Sequence, residues 1–60
     1  MSRGGSWDLP ARKYDPAEVK AWCRENLKPN SWHVGKVFMG VFEVCVGEEE
    51  DVVAFKLRWL

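Results

Sequence analysis

The stretch Trp32 to Val46, WHVGKVFMGVFEVCV, restricts this chain more than any other. Its fifteen residues include five valines, two phenylalanines and a tryptophan, the β-branched and aromatic types that fit a pleated surface. Such a run folds as one long strand or as a hairpin, and Gly35 and Gly40 are the places where it can break. A break at Gly40 gives strands of about 32–38 and 41–46 joined by a Met39-Gly40 turn; a break at Gly35-Lys36 leaves one strand of about 37–46. Neither site has the strong turn chemistry of Asn-Gly. Read by alternation, Phe38, Phe42, Val44 and Val46 share an apolar face. Val37, Met39, Val41, Glu43 and Cys45 then make a second face that is still mostly apolar. A sheet apolar on both sides needs cover on both sides.

The flanking segments readily cover only one of them. Asp15-Pro16-Ala17-Glu18 is a helix start: Asp15 suits the N-cap, Pro16 the first helical position, and Glu18 can complete a capping box. The helix that follows, over about residues 16–28, carries Val19, Trp22, Cys23 and Leu27 as one apolar stripe, and Pro29-Asn30 stops it. After Gly47, the carboxylates Glu48 to Asp51 suit a second helix N-terminus of about 48–58, with Val52, Phe55 and Trp59 on one face and Val53, Leu57 and Leu60 beside it. Lys56 falls within that broad arc and has to snorkel out of it. From Val53 onward the residues also alternate as a strand would, which is the competing reading. Trp7 to Tyr14 has a weaker alternation, and Pro10 confines any strand there to an edge. The predicted fold is α+β, a small antiparallel sheet with two helices packed on one face in the order (β)αββα. Residues 1–6 are expected to be disordered and residues 7–60 to form a single domain.

Sixty residues lie near the lower limit for a chain that folds alone. Here 47% of residues are hydrophobic and four are tryptophan, which bury much area per residue ordered and exclude intrinsic disorder. Nine basic residues balance nine acidic ones. That balance argues against a general nucleic-acid module, which gains most of its affinity from phosphate neutralisation. Two cysteines with no CxxC pair, no apolar leader after Met1 and no long apolar run predict an intracellular protein with reduced thiols and no membrane partner.

The C-terminal string EEEDVVAFKLRWL resembles the ending of small tailed-bacteriophage proteins of unknown function, which close on an acidic cluster, an Ala-rich turn and Phe-Lys-Leu-Arg/Thr-Trp. In those chains a short helix and an apolar strand come before, as DPAEVKAWCRENL and FMGVFEVCV do here. The resemblance carries no catalytic motif and transfers no site residues. It implies a short phage gene whose product acts in the cytoplasm of the host cell.

Chemistry has little to build on. His33 is the sole histidine, and a zinc site would have to gather it with Cys23, Cys45 and a carboxylate across wide spacings. Buried cysteines acting as small core hydrophobes are the simpler reading. A Cys-His nucleophilic pair has no orienting third residue to mark it. Glu48 to Asp51 do not follow calcium-loop spacing, and the glycines do not follow a phosphate loop. No catalytic residue, metal or cofactor is expected. The surplus apolar residues Trp7, Trp32, Val37, Met39 and Val41 instead predict a binding or dimer surface. The expected function is therefore non-catalytic: an accessory protein that binds and inhibits or diverts a host protein, a defence component for instance, and that forms a homodimer. The alternatives are a nucleic-acid-binding regulator using Arg3, Arg12, Lys13 and Arg58, and a small virion component.

Overall fold

The computed structural model describes residues 4–60; Arg3 and the first half of the N-terminal segment expected to be disordered lie outside them. Five elements follow in the order β1 (Gly5–Pro10), α1 (Pro16–Asn26), β2 (Trp32–Val34), β3 (Val41–Val46) and α2 (Glu49–Trp59). The α+β class and the βαββα order are those read from the sequence. The strands form one antiparallel sheet in the order β1-β3-β2. Strands β1 and β2 therefore run parallel with β3 between them, joined through α1 as a split βαβ unit. Gly5 and Ser6 belong to β1, opposite Val46 and Cys45, so the expected disorder does not reach them.

Helix α1 starts as its sequence dictates. The Ala17 N–H donates to Asp15 Oδ1 at 3.0 Å, and Pro16 occupies the first turn. Glu18 makes no reciprocal bond within the described residues, so the cap is one-sided. The helix closes at Asn26, with the Leu27 N–H bonded to the Cys23 carbonyl, before Pro29 and a left-handed Asn30 (φ 65°) turn the chain. Val19, Cys23 and Leu27 are buried; Trp22, at the middle of the same stripe, is half-buried and meets Phe55 and Trp59 edge-on. The last segment is helical over Glu49–Trp59, so the period of 3.6 prevails over the tidy alternation. The reason is packing: a helix seats Asp51 and Phe55 inward, one turn apart, with Val52 and Trp59 alongside.

The core lies on one face of the sheet. Trp7, Leu9, Phe42, Val44 and Val46, with Trp32 and Val34 from β2, join the buried residues of both helices in a single cluster. Phe55 stacks on Trp7 with ring centroids 4.8 Å apart. Trp7 and Trp32 are thus core-packing residues, and the expectation that they add to a free apolar surface is corrected.

The opposite face corrects a second expectation. It is polar except at its tip end, where Val41 stands opposite Pro10. Ser6, Cys45 and His33 lie side by side across the three strands, and Asp8 stands opposite Glu43. With water as its cover this face needs no second layer. Cys45 is half-buried there, and its thiol is pushed above its ordinary range by burial and then by Glu43 and Asp8. Cys23 in the core is pushed up to about 11, by burial first and Asp51 second, which keeps it a protonated and unreactive thiol.

Candidate interaction surface

The hairpin between β2 and β3 breaks at Gly40, one of the two places the sequence allowed. Phe38 and Val41 exchange both backbone hydrogen bonds, at 2.7 and 3.1 Å, around a two-residue turn of Met39 (φ 56°) and Gly40 (φ 80°). Two successive positive φ values are what a primed type I′ turn requires, and that turn matches the natural twist of a hairpin. Below it, Gly35 donates to the Glu43 carbonyl at 2.7 Å. Lys36 and Val37 consequently face the single residue Phe42, so the first arm carries a bulge.

This geometry moves Phe38. Residues paired across an antiparallel ladder point the same way, so Phe38 sides with Val41 and not with Phe42. Its assignment to the buried face, by alternation through the turn, is corrected. Phe38 is 76% exposed and Met39 85%, and Val37 and Val41 beside them are exposed as well. Val37, Met39 and Val41 therefore do form apolar surface, as a projecting tip with Phe38 added in place of Trp7 and Trp32. A second apolar strip lies on α2, where Val53, Leu57 and Leu60 face outward at helical spacing and Leu57 is 84% exposed. No pocket opens among the described residues, and no group of three His, Cys, Asp or Glu residues there is placed to hold a metal ion.

Met39 is a poor choice for its own backbone. A left-handed residue with a Cβ costs about 1–2 kcal/mol, which glycine and, in part, asparagine avoid. Met39→Asn is therefore expected to stabilise the protein by about 0.5–1 kcal/mol while removing an exposed apolar side chain. Paired urea melts measure this, and a lower midpoint for the variant would contradict the turn geometry. Strain at an exposed residue is a signature of a position kept for something other than folding.

The fold also sorts the charges. The Ala11 N–H donates to the Gly40 carbonyl at 2.9 Å, which ties the turn after β1 to the hairpin tip. The Tyr14 hydroxyl donates to the Trp59 carbonyl at 3.2 Å, which brings the end of α2 to the same side. Arg12, Lys13 and Lys36 therefore lie toward the tip end, with Lys56 and Arg58 in the last turn of α2 on the same side, and Asp15 and Glu18 at the start of α1 and the facing Asp8 and Glu43 are carboxylates toward that end. Arg58 lies over the Trp59 ring at 4.0 Å and the Lys13 ammonium 5.6 Å from the Tyr14 ring centroid, so both cations are held against aromatic faces. The far end carries Glu48, Glu49 and Glu50 at the start of α2, with Lys28 3.8 Å from Glu48 and 3.7 Å from Glu50.

Sequence reasoning missed two roles. Phe38 was hidden by counting through the turn. Asp51 was grouped with a solvated acidic run, yet it is 6% exposed and accepts from the Lys28 N–H at 3.2 Å and the Ser31 hydroxyl at 2.7 Å. Its position one turn before Phe55 was the available signal. No family model matches the chain, nor does any curated protein or solved structure.

Proposed function

We propose that this is a non-catalytic accessory protein of a tailed bacteriophage, working in the host cytoplasm by binding a host protein and inhibiting or diverting it. A defence component is the target this reading favours. The origin rests on the C-terminal resemblance. The binding role rests on one observation: Val37, Phe38, Met39 and Val41 at the hairpin tip and Val53, Leu57 and Leu60 on α2 stand exposed outside a core that is closed without them. Apolar surface of this kind is costly to keep in water and marks interfaces. A second copy of the chain is another occupant of the same surface, now at the tip or on α2 because the sheet's free face is polar.

The test is affinity capture from host extract in high salt, with Met39→Ser and Leu57→Glu as companions to the wild-type chain. Both positions are so exposed that neither substitution touches the core. A host protein held by the wild type and released by one of the variants is the expected result. An identical set of proteins on all three columns sinks the reading. Sedimentation over a range of concentrations separates self-association from capture of another protein.

The cations gathered at the tip end favour a second reading, a nucleic-acid-binding regulator using Arg12, Lys13 and Arg58. Its mark is a gel shift that weakens steeply with salt and on Arg12→Glu. A shift indifferent to both counts against it.

A further inference from the structure

The two exposed apolar patches differ in their chemistry. The strip on α2 begins beside the glutamates of the first turn and ends beside Lys56 and Arg58, so both signs flank it. The hairpin tip has cations around it and no carboxylate within its own arms before Glu43, which points to the polar sheet face. We propose that the tip is a membrane-contacting device. Phe38 and Met39, with Val37, insert at the surface of an anionic bilayer, while Lys36, Arg12 and Lys13 lie against its phosphate headgroups.

Three features favour a bilayer over other anionic partners. The tip projects: a two-residue turn carries exposed Phe38 and Met39 outward, and no pocket opens beside it among the described residues. A deformable apolar phase accepts such a shape without needing a matching cleft. The centre of the basic end is occupied by valine, methionine and an exposed phenylalanine, so a phosphate backbone laid across it would desolvate without gaining hydrogen bonds there. Lastly, Glu48, Glu49 and Glu50 stand at the start of α2, after the end of β3 away from the hairpin turn, so they do not oppose contact of the tip with a negative surface.

The contact is interfacial, and it departs from the expectation of no membrane partner, which rested on the want of a spanning run. No helix among the described residues is long and apolar enough to cross a membrane, and insertion of a tip requires none. The left-handed Met39 fits this assignment, because asparagine or glycine would relax the turn but leave nothing to insert. The assignment goes beyond host-protein binding and is separable from it, since the strip on α2 can carry that role alone.

Co-sedimentation with lipid vesicles tests it without any host protein. The expected result is binding to phosphatidylcholine vesicles containing about one-third phosphatidylglycerol, and little binding to phosphatidylcholine alone. Raising the salt from about 0.1 M to 0.5 M should weaken the anionic binding several-fold through screening. The double variant Phe38→Ser, Met39→Ser should lose at least about tenfold in partitioning, since the buried apolar area drives insertion. Its thermal transition should stay cooperative because both side chains are exposed. Any one of three results overturns the proposal: no binding to the anionic vesicles at low salt, equal binding to the neutral ones, or full binding by the double variant. If the tip variants lose a captured host protein while the wild type ignores vesicles, the tip is a protein-binding surface, and the functional reading survives without this one. If a short DNA duplex displaces the protein from vesicles and binds the double variant as tightly as the wild type, the basic cluster reads phosphate and the tip has no part in it.

Discussion

Replacing Phe55 with alanine is expected to abolish cooperative folding at room temperature. Phe55 has no exposed surface and is where the aromatic residues meet. Trp7 of β1 stacks on it at 4.8 Å, Trp22 of α1 meets it edge-on at 6.2 Å, and Trp59 of its own helix lies 6.3 Å away. One ring thus joins the sheet to both helices. Removing a buried phenylalanine costs about 3–5 kcal/mol, part of it the unfilled cavity. A domain of this length has about 3–5 kcal/mol in total from a single core, so the loss matches the whole stability. Near-ultraviolet dichroism and urea titration read the outcome directly, since four tryptophans report the packing. Val53→Ala, exposed on the same helix, is the control and should stay within about 0.5 kcal/mol of the wild type. A cooperative transition for Phe55→Ala near the wild-type midpoint would place the core elsewhere.

The parts of this fold that were legible in the sequence are those fixed by local chemistry. Asp15-Pro16 names a helix start because a cap and a missing N–H are local requirements, and α1 begins there. The stripes Val19, Trp22, Cys23, Leu27 and Val52, Phe55, Trp59 repeat at the helical period; α1 buries Val19, Cys23 and Leu27, α2 buries Phe55, and Trp22, Val52 and Trp59 pack half-buried against the same core. Element ends were less legible. Helix α1 stops two residues before the expected position because the Leu27 N–H still bonds to Cys23 while its backbone has become extended.

What failed was counting by alternation across a turn. Alternation assigns faces within one strand; a two-residue turn reverses direction and pairs residue 38 with 41, an even with an odd position. Every residue of the first arm then changes its partner, and the bulge at Lys36-Val37 shifts the count once more. The supposed second apolar face was built partly from Val37 and Met39, which the turn lifts out of the sheet. Trp7 could not be placed from sequence either, because its role depends on β1 pairing with β3, a contact across more than thirty residues. The candidate surface was therefore half readable: Val37, Met39 and Val41 by composition, Phe38 only once the pairing was known. That positions 12, 13, 36, 56 and 58 lie toward one end had no local signal at all, since the topology alone places them there.

Asp51 is the second residue whose removal should be severe, for a polar reason. Its carboxylate sits 6% exposed at the start of α2 and accepts from the Lys28 N–H and the Ser31 hydroxyl, whose single proton is shared with the Lys28 carbonyl at 2.8 Å. The loop from α1 to β2 is thereby fastened to α2, next to the bond from the Gly47 N–H to the Ser31 carbonyl at 2.6 Å. Hydrogen bonds to a charged acceptor contribute about 1.5–3 kcal/mol, and a buried donor left without a partner costs about as much again as an ordinary bond. Asp51→Ala is accordingly expected to destabilise by about 2–3 kcal/mol, seen as a lower urea midpoint at unchanged slope. Asp51→Asn keeps an acceptor without the charge and should lose roughly half of that. Ser31→Ala should then cost less in the Asp51→Ala background than in the wild type, because only the bond to the Lys28 carbonyl is left to lose. The neighbouring glutamates set the contrast. Glu48 and Glu50 face Lys28 in water, and such exposed pairs contribute about 0–1 kcal/mol, so Lys28→Ala should barely move the midpoint. If Lys28→Ala cost as much as Asp51→Ala, the acidic run would act through its surface charge, and the buried carboxylate would not be the fastening.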